Sequence, residues 1–116
     1  MAEEVRPYCP YYARAMEMIG RRWAGAVLRA LWTGATRFNE IADAIPGMTD
    51  RLLSQRLKDL EADGLVERHV HHTRPVRIEY RLTAKGRSLG DVLFTLNQWA
   101  LEWITLEDEA TRPRSS

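Results

Sequence analysis

PGMTDRLLSQRLKDLEADGLV, residues 46 to 66, opens on a Pro-Gly turn, continues in a leucine repeat of helical period and closes at a glycine. Turning 100° per residue puts Leu53, Leu57 and Leu60 on one side with Leu52 at its edge, and Arg51, Ser54, Gln55 and Lys58 on the other. Thr49 is placed to cap this helix and Gly64 to end it. Taken alone, the polar side is the solvent face of an amphipathic helix. Its neighbours in the chain give it a different reading.

Upstream, Pro10 fits the first position of a helix, where a missing N–H costs nothing, and Tyr12, Met16 and Ile19 then recur at helical spacing until Gly20. This predicts a first helix over about residues 11–19. Trp23, Val27, Leu28 and Leu31 mark a second helix closed by Gly34. Thr36 is expected to cap a short third helix bearing Phe38, Ile41, Ala42 and Ile45, which must stop before Pro46-Gly47.

Downstream of Gly64 the period falls to two. Val66, Arg68 and Val70 alternate with Glu67, His69 and His71; beyond the HHTRP loop Val76, Ile78, Tyr80 and Leu82 alternate with Arg77, Glu79 and Arg81. That is a β-hairpin, expected to lay its apolar face on the helices and its charged face in water. Thr83 then caps a long last helix with Leu89, Val92, Leu93, Leu96, Trp99, Ala100 and Trp103 at three- and four-residue spacing.

Two helices across a tight turn, followed by a hairpin, are the layout of a winged helix-turn-helix. The expected fold class is therefore mainly α with a small β-hairpin wing, flanked by N- and C-terminal dimerisation helices. Residues 1–106 are expected to form one domain, and residues 107–116, with nothing to bury, a flexible tail.

Composition narrows the function. The chain has 116 residues, 45% hydrophobic and 28% charged, and no apolar run near the roughly 18 residues of a membrane span. The N-terminus lacks the apolar core of a signal peptide, and one cysteine builds no internal disulfide framework, so the cytoplasm is the expected compartment. A net charge of +1 conceals strong local fields. Residues 6 to 37 carry six arginines against Glu17 alone, residues 68 to 81 four arginines against Glu79, and residues 102 to 109 are purely acidic.

In that frame the polar face of the fourth helix reads as a DNA-reading surface. Arginine pairs bidentately with guanine, glutamine with adenine, serine with either, and lysine or arginine with phosphate. Arg51, Ser54, Gln55 and Lys58 lie in the first two turns, the part of such a helix that reaches furthest into the major groove. The backbone N–H groups around Thr49 add a phosphate site, Arg37 adds another, and Arg74 and Arg77 on the wing reach a neighbouring minor groove or its phosphates. Arg56 points toward the leucine side and is expected to be structural.

The expected function is sequence-specific binding of duplex DNA as a repressor; the alternative is a winged-helix module that binds protein. Leu96, Trp99 and Trp103 exceed what so small a core needs, once the first four helices and the hairpin have filled it, and Tyr12 and Met16 of the first helix join them. They are expected to form a two-fold dimer interface that holds two recognition helices about one DNA turn (~34 Å) apart. His69, His71 and His72 invite a metal, but they sit on a wing with no cysteine and only Glu67 near in sequence, so none is expected. No nucleophile with an adjacent base, phosphate loop or cofactor fingerprint is present; neither catalysis nor a cofactor is expected.

The pattern as a whole resembles the HxlR-type branch of the MarR-like winged-helix transcription regulators, over roughly residues 9 to 103. The resemblance rests on CP at 9–10, IGRRW at 19–23, RFNEI at 37–41, IPGMTDRLLSQRLKDLEADGLVERHV at 45–70, IEYRLTAKGRSL at 78–89, and Trp99. It implies a bacterial dimeric DNA-binding regulator, and for some members sensing of an electrophile or oxidant through the cysteine that here is Cys9. The chain departs from the family in Gly20-Arg21-Arg22-Trp23, where two glycines usually precede a lysine-tryptophan pair, and in a more basic, histidine-rich wing. Cys9 itself has two readings: a thiol made reactive by a helix N-terminus and nearby arginines such as Arg6, or a buried cap packed under Tyr11, Tyr12 and the dimer mate.

Overall fold

The computed structural model describes residues 6 to 106; the expected tail at 107–116 and the first five residues lie outside that range. The elements run α1 (Pro10–Gly20), α2 (Ala24–Trp32), α3 (Phe38–Ala44), α4 (Asp50–Ala62), β1 (Val66–His71), β2 (Arg77–Leu82) and α5 (Ala84–Trp103). Five helices and one antiparallel hairpin give the mainly α winged helix-turn-helix that the periodicities predict.

The helix ends are set by local chemistry. At the end of α4 the N–H of Leu65 donates to the Leu60 carbonyl at 2.9 Å and that of Gly64 to Glu61 at 3.0 Å, with Gly64 at φ +77°. This paired closure needs a left-handed residue, which glycine supplies without a Cβ clash. Gly34 closes α2 by the same two bonds, to Leu31 and from Ala35 to Ala30. The start of α3 differs from expectation. Arg37, not Thr36, occupies the cap, and the Glu40 carboxylate accepts from the backbone N–H groups of Thr36 (2.9 Å) and Arg37 (3.1 Å). A carboxylate on the first turn takes both orphan donors, so the threonine hydroxyl is not needed.

The core lies between α2, α3, α4 and the start of β1. Val27, Ile41, Leu53, Leu57, Leu60 and Leu65 are its largest fully buried side chains. The expectation that the first four helices all fill it is corrected at α1, which buries no residue. On α5 only Gly86 and Gly90 are buried, while Leu89 and Leu93 pack against the core from its edge. A Cβ on Gly86 would overlap the Leu65 carbonyl oxygen, and Gly90 rests against the Trp32 indole. These two glycines let α5 approach the body closely.

The hairpin pairs Val66 with Leu82, Arg68 with Tyr80, His69 with Glu79 and His71 with Arg77. Its base is tied down: the Tyr80 N–H donates to the Thr36 carbonyl (2.7 Å), and the Thr83 N–H to that of Leu65 (3.0 Å). The expected apolar face on the helices holds only there. Val70 and Val76 are exposed and β2 begins at Arg77, because the outer half of the wing projects beyond any helix that could cover it.

Candidate nucleic-acid interface

Helices α3 and α4 meet across residues 45 to 49. Gly47 turns the chain at φ +85°, and a Cβ there would sit 3.9 Å from the Trp23 ring, so the indole packs beneath the turn. Thr49 caps α4, its hydroxyl accepting from the Leu52 N–H at 3.1 Å. That bond uses one of the first-turn donors expected to meet a phosphate; helix geometry leaves the N–H groups of Asp50 and Arg51 without an intrahelical acceptor.

With Leu53, Leu57 and Leu60 anchored in the core, the opposite side of α4 is held outward. Arg51, Ser54, Gln55 and Lys58 are all exposed. Gln55 Nε2 donates to Asp59 Oδ1 at 3.1 Å, which orients its amide. Arg56 is turned inward instead: Nε donates to the Arg22 carbonyl and Nη1 to Asp59 Oδ2, both at 2.7 Å. It is a structural residue, as its helical angle predicts.

The basic stretch at 6–37 is not one surface. Arg14 and Arg21 both converge on Asp63, at 3.2 and 2.9 Å, and the Asp63 side chain is only 6% exposed. In the unusual Gly20-Arg21-Arg22-Trp23 segment, Arg22 lies over the Trp23 ring at 5.3 Å and Trp23 takes φ +74°. Arg37 stays exposed at the cap of α3.

On the wing, Arg74 and Arg77 are exposed at and beside the tip. Glu79 organises the outward face: Arg81 Nη2 and His71 Nε2 reach it at 3.1 Å and Arg77 Nε at 3.9 Å. The hydrogen bond from Arg81, then that from His71, holds its carboxyl below the usual carboxylate range. His69 contacts Glu67 at 2.9 Å. Two of the wing histidines thus face carboxylates, and among the described residues no group of three His, Cys, Asp or Glu is arranged for a metal ion.

Glu79 and Asp63 are the members that the sequence reading passed over. The alternation that identified the strands already placed Glu79 on the same face as His69 and His71. Nothing local marks Asp63, whose partners lie 42 and 49 residues away.

The residues expected at a dimer interface share one property. Tyr12 and Met16 on α1, and Leu96, Trp99 and Trp103 on α5, are all exposed in the single chain, as are Tyr8, Tyr11, Leu101 and Ile104. Cys9 stands at the cap of α1 with Pro10 as the first helical residue, makes no capping bond and is exposed in the single chain, where Tyr11 and Tyr12 do not cover it. No helix among the described residues is long and apolar enough to cross a membrane.

A family model described as HxlR-like helix-turn-helix matches residues 18–108. The chain is 44% identical over 96 residues to the uncharacterised HTH-type transcriptional regulator YvaP of Bacillus subtilis, covering 83% of this chain and 89% of that one. To the HTH-type transcriptional regulator YodB of the same organism it is 39% identical over 92 residues, 79% of this chain and 82% of that one. The reduced form of YodB superposes with a TM-score of 0.76 at 37% identity, over 87% of this chain and 99% of that one. The redox regulator HypR in its oxidised form superposes at 0.77 and 35% identity, over 84% and 100%. Sequence match, helix order and hairpin agree, and the chain belongs to the HxlR-like helix-turn-helix family of transcriptional regulators.

Proposed function

We propose that the protein is a homodimeric regulator that binds a specific duplex DNA site in the cytoplasm, represses by occupying it, and responds to oxidants or electrophiles through Cys9. The observation that carries this reading is the outward set Arg51, Ser54, Gln55 and Lys58 on a helix whose other face is locked in the core. A rigid helix presenting donors in its first two turns is what major-groove recognition requires. Arg37 and Thr49 flank that set for phosphate contacts, and Arg74 and Arg77 extend it along the wing. The dimer is supported by the exposed aromatic and aliphatic side chains of α1 and α5, an unusual load for a lone chain of this size. The thiol response is supported by the exposure of Cys9 and by the relatives: YodB has been crystallised reduced, diamide-treated and quinone-bound, and HypR is named a redox regulator.

The test is a gel shift with the DNA upstream of the protein's own gene, run over a salt series. Specific retention that Arg51→Ala abolishes supports the reading. Absence of specific retention at any modest salt would overturn it and favour a protein-binding module.

A further inference from the structure

The inner face of the hairpin contains one charged residue. Alternation and register put Val66, Arg68 and Val70 of β1 on the same face as Ile78, Tyr80 and Leu82 of β2, with Arg68 directly opposite Tyr80. A strand face turned toward helices is normally apolar, yet the exposed Arg68 guanidinium stands on this one. It meets a cleft of about 330 Å³ between wing and recognition helix, lined by Ser54, Leu57, Lys58, Glu61, Arg68 and Tyr80.

The cleft is chemically unfinished. Arg14, Arg21, Arg56, Arg77 and Arg81 each reach a carboxylate. Among the described residues, Lys58 and Arg68 form no ion pair, although Glu61 lines the same cleft, and the Ser54 and Tyr80 hydroxyls have no hydrogen-bond partner. Two cations and two hydroxyls therefore converge on open space, held by two elements of fixed relation. The β2 strand is tied at Tyr80 to the Thr36 carbonyl and α4 is anchored by Leu57. Glu61 lies one turn beyond Leu57 and two beyond Ser54, so the anion it leaves room for sits toward Ser54.

We propose that this cleft seats one phosphodiester of the bound DNA, with Arg68 and Lys58 as its charge partners and Ser54 and Tyr80 as hydrogen-bond donors. The inference rests on the DNA-binding reading above. It gives Arg68, together with Ser54 and Lys58 of α4, a role distinct from base reading: gripping the backbone strand that runs between the groove read by Arg51 and Gln55 and the groove approached by the wing, and so fixing the register of both. A residue that grips phosphate carries no sequence information, so its loss weakens specific and non-specific DNA alike.

Fluorescence anisotropy on full-length protein tests this, titrating the upstream DNA and a scrambled duplex over a salt series. Arg68→Gln is expected to weaken both duplexes by a similar factor and to reduce the slope of log affinity against log salt by about one. Arg29→Ala, which removes the same charge from an exposed site on α2, is expected to leave the slope unchanged. Circular dichroism melting of Arg68→Gln checks that the variant is folded, and Tyr80→Phe, with its ring retained, is expected to weaken both duplexes without changing the slope. Wild-type slope and affinity in folded Arg68→Gln would overturn the seat while leaving the DNA-binding reading intact; failure of the wild type to bind any duplex would overturn both. If instead inorganic phosphate raises the melting temperature of the free protein, and Arg68→Gln removes that rise without altering the salt slope, the cleft takes a free phosphate group and the assignment to DNA is wrong.

Discussion

Arg56 Nε donates to the Arg22 carbonyl oxygen at 2.7 Å, joining the middle of the recognition helix to the turn between α1 and α2. The peptide so held precedes Trp23, whose φ of +74° is unfavourable for a side chain of that size, and whose indole supports the Pro46-Gly47 turn. One guanidinium thus holds a strained turn on one side and, through Asp59 at 2.7 Å, its own helix on the other. Arg56→Ala is expected to lower stability by about 1.5–3 kcal/mol in urea unfolding, since hydrogen bonds to a charged group contribute about that much. Tryptophan emission should shift in the same variant as the Trp23 turn relaxes. DNA affinity should fall less than in Arg51→Ala.

Gly86 gives a sharper steric test. It lies inside α5, where alanine normally stabilises by up to about 1 kcal/mol. Yet a Cβ there would overlap the Leu65 carbonyl oxygen, which is already the acceptor of the Thr83 N–H. Backbone cannot swing aside as a side chain can, so Gly86→Ala is expected to cost about 1–3 kcal/mol by urea unfolding. Gly20, at the end of α1, has open space where a Cβ would go and is not in the left-handed region. Gly20→Ala should leave stability unchanged or raise it by a few tenths of a kcal/mol.

These two glycines also show how far the sequence could be read. Gly34 and Gly64 were legible as helix stops because they follow an apolar period that ends there, and Thr49 and Thr83 as caps because they precede one. Gly86 looks like any helical glycine; its role depends on a carbonyl 21 residues upstream. The leucine side of α4 was legible from its period, and the polar side opposite followed from it. What could not be read is how far the wing stands out from the body, which exposes Val70 and Val76, and that α1 fully buries no residue and only leans Met18 on the core. Periodicity tells which residues share a face, not whether anything covers it. The same limit hid the Asp63 pairing with Arg14 and Arg21, and the cleft behind Arg68.

Acid stability should report the cap of α3. The Glu40 carboxyl is held below its usual value of 4.5, first by the Thr36 N–H and then by that of Arg37. A carboxyl with a depressed folded-state pKa contributes stability that is fully present above the unfolded value and is lost as pH falls through the folded one. Unfolding free energy should therefore decline below about pH 4.5, with Glu79 on the wing, depressed by Arg81 and His71, adding to the same limb. Glu40→Gln should be less stable than wild type at pH 7, and the gap should close as pH falls through the depressed folded-state value. Parallel curves across the whole range would show that Glu40 does not act through its charge.

The apolar faces of α1 and α5 decide whether the regulator works as a pair. Trp99 and Trp103 remain 54% and 67% exposed in one chain, with Leu96 and Leu101 beside them on α5 and Tyr12 and Met16 on α1. A second copy would cover these side chains by the same two-fold operation that places a second α4 on the DNA. Light scattering at micromolar concentration should give twice the chain mass for wild type, and the chain mass for Trp99→Glu, which puts a charge in the seam. Because two half-sites held together act at a high effective concentration, Trp99→Glu should bind the full operator about 100-fold more weakly while retaining its single half-site contact. Cys9 at the start of α1 reads the same geometry chemically. The chain has one cysteine, so in the absence of small thiols the disulfide made by diamide, which accepts two electrons and two protons from two thiols, joins two chains. A covalent dimer on a non-reducing gel is expected for wild type and not for Cys9→Ser, and it should form more slowly in Trp99→Glu, whose thiols are no longer held close. Equal rates in the two proteins would place Cys9 away from the dimer seam, and unchanged DNA affinity after oxidation would leave the thiol without a part in regulation.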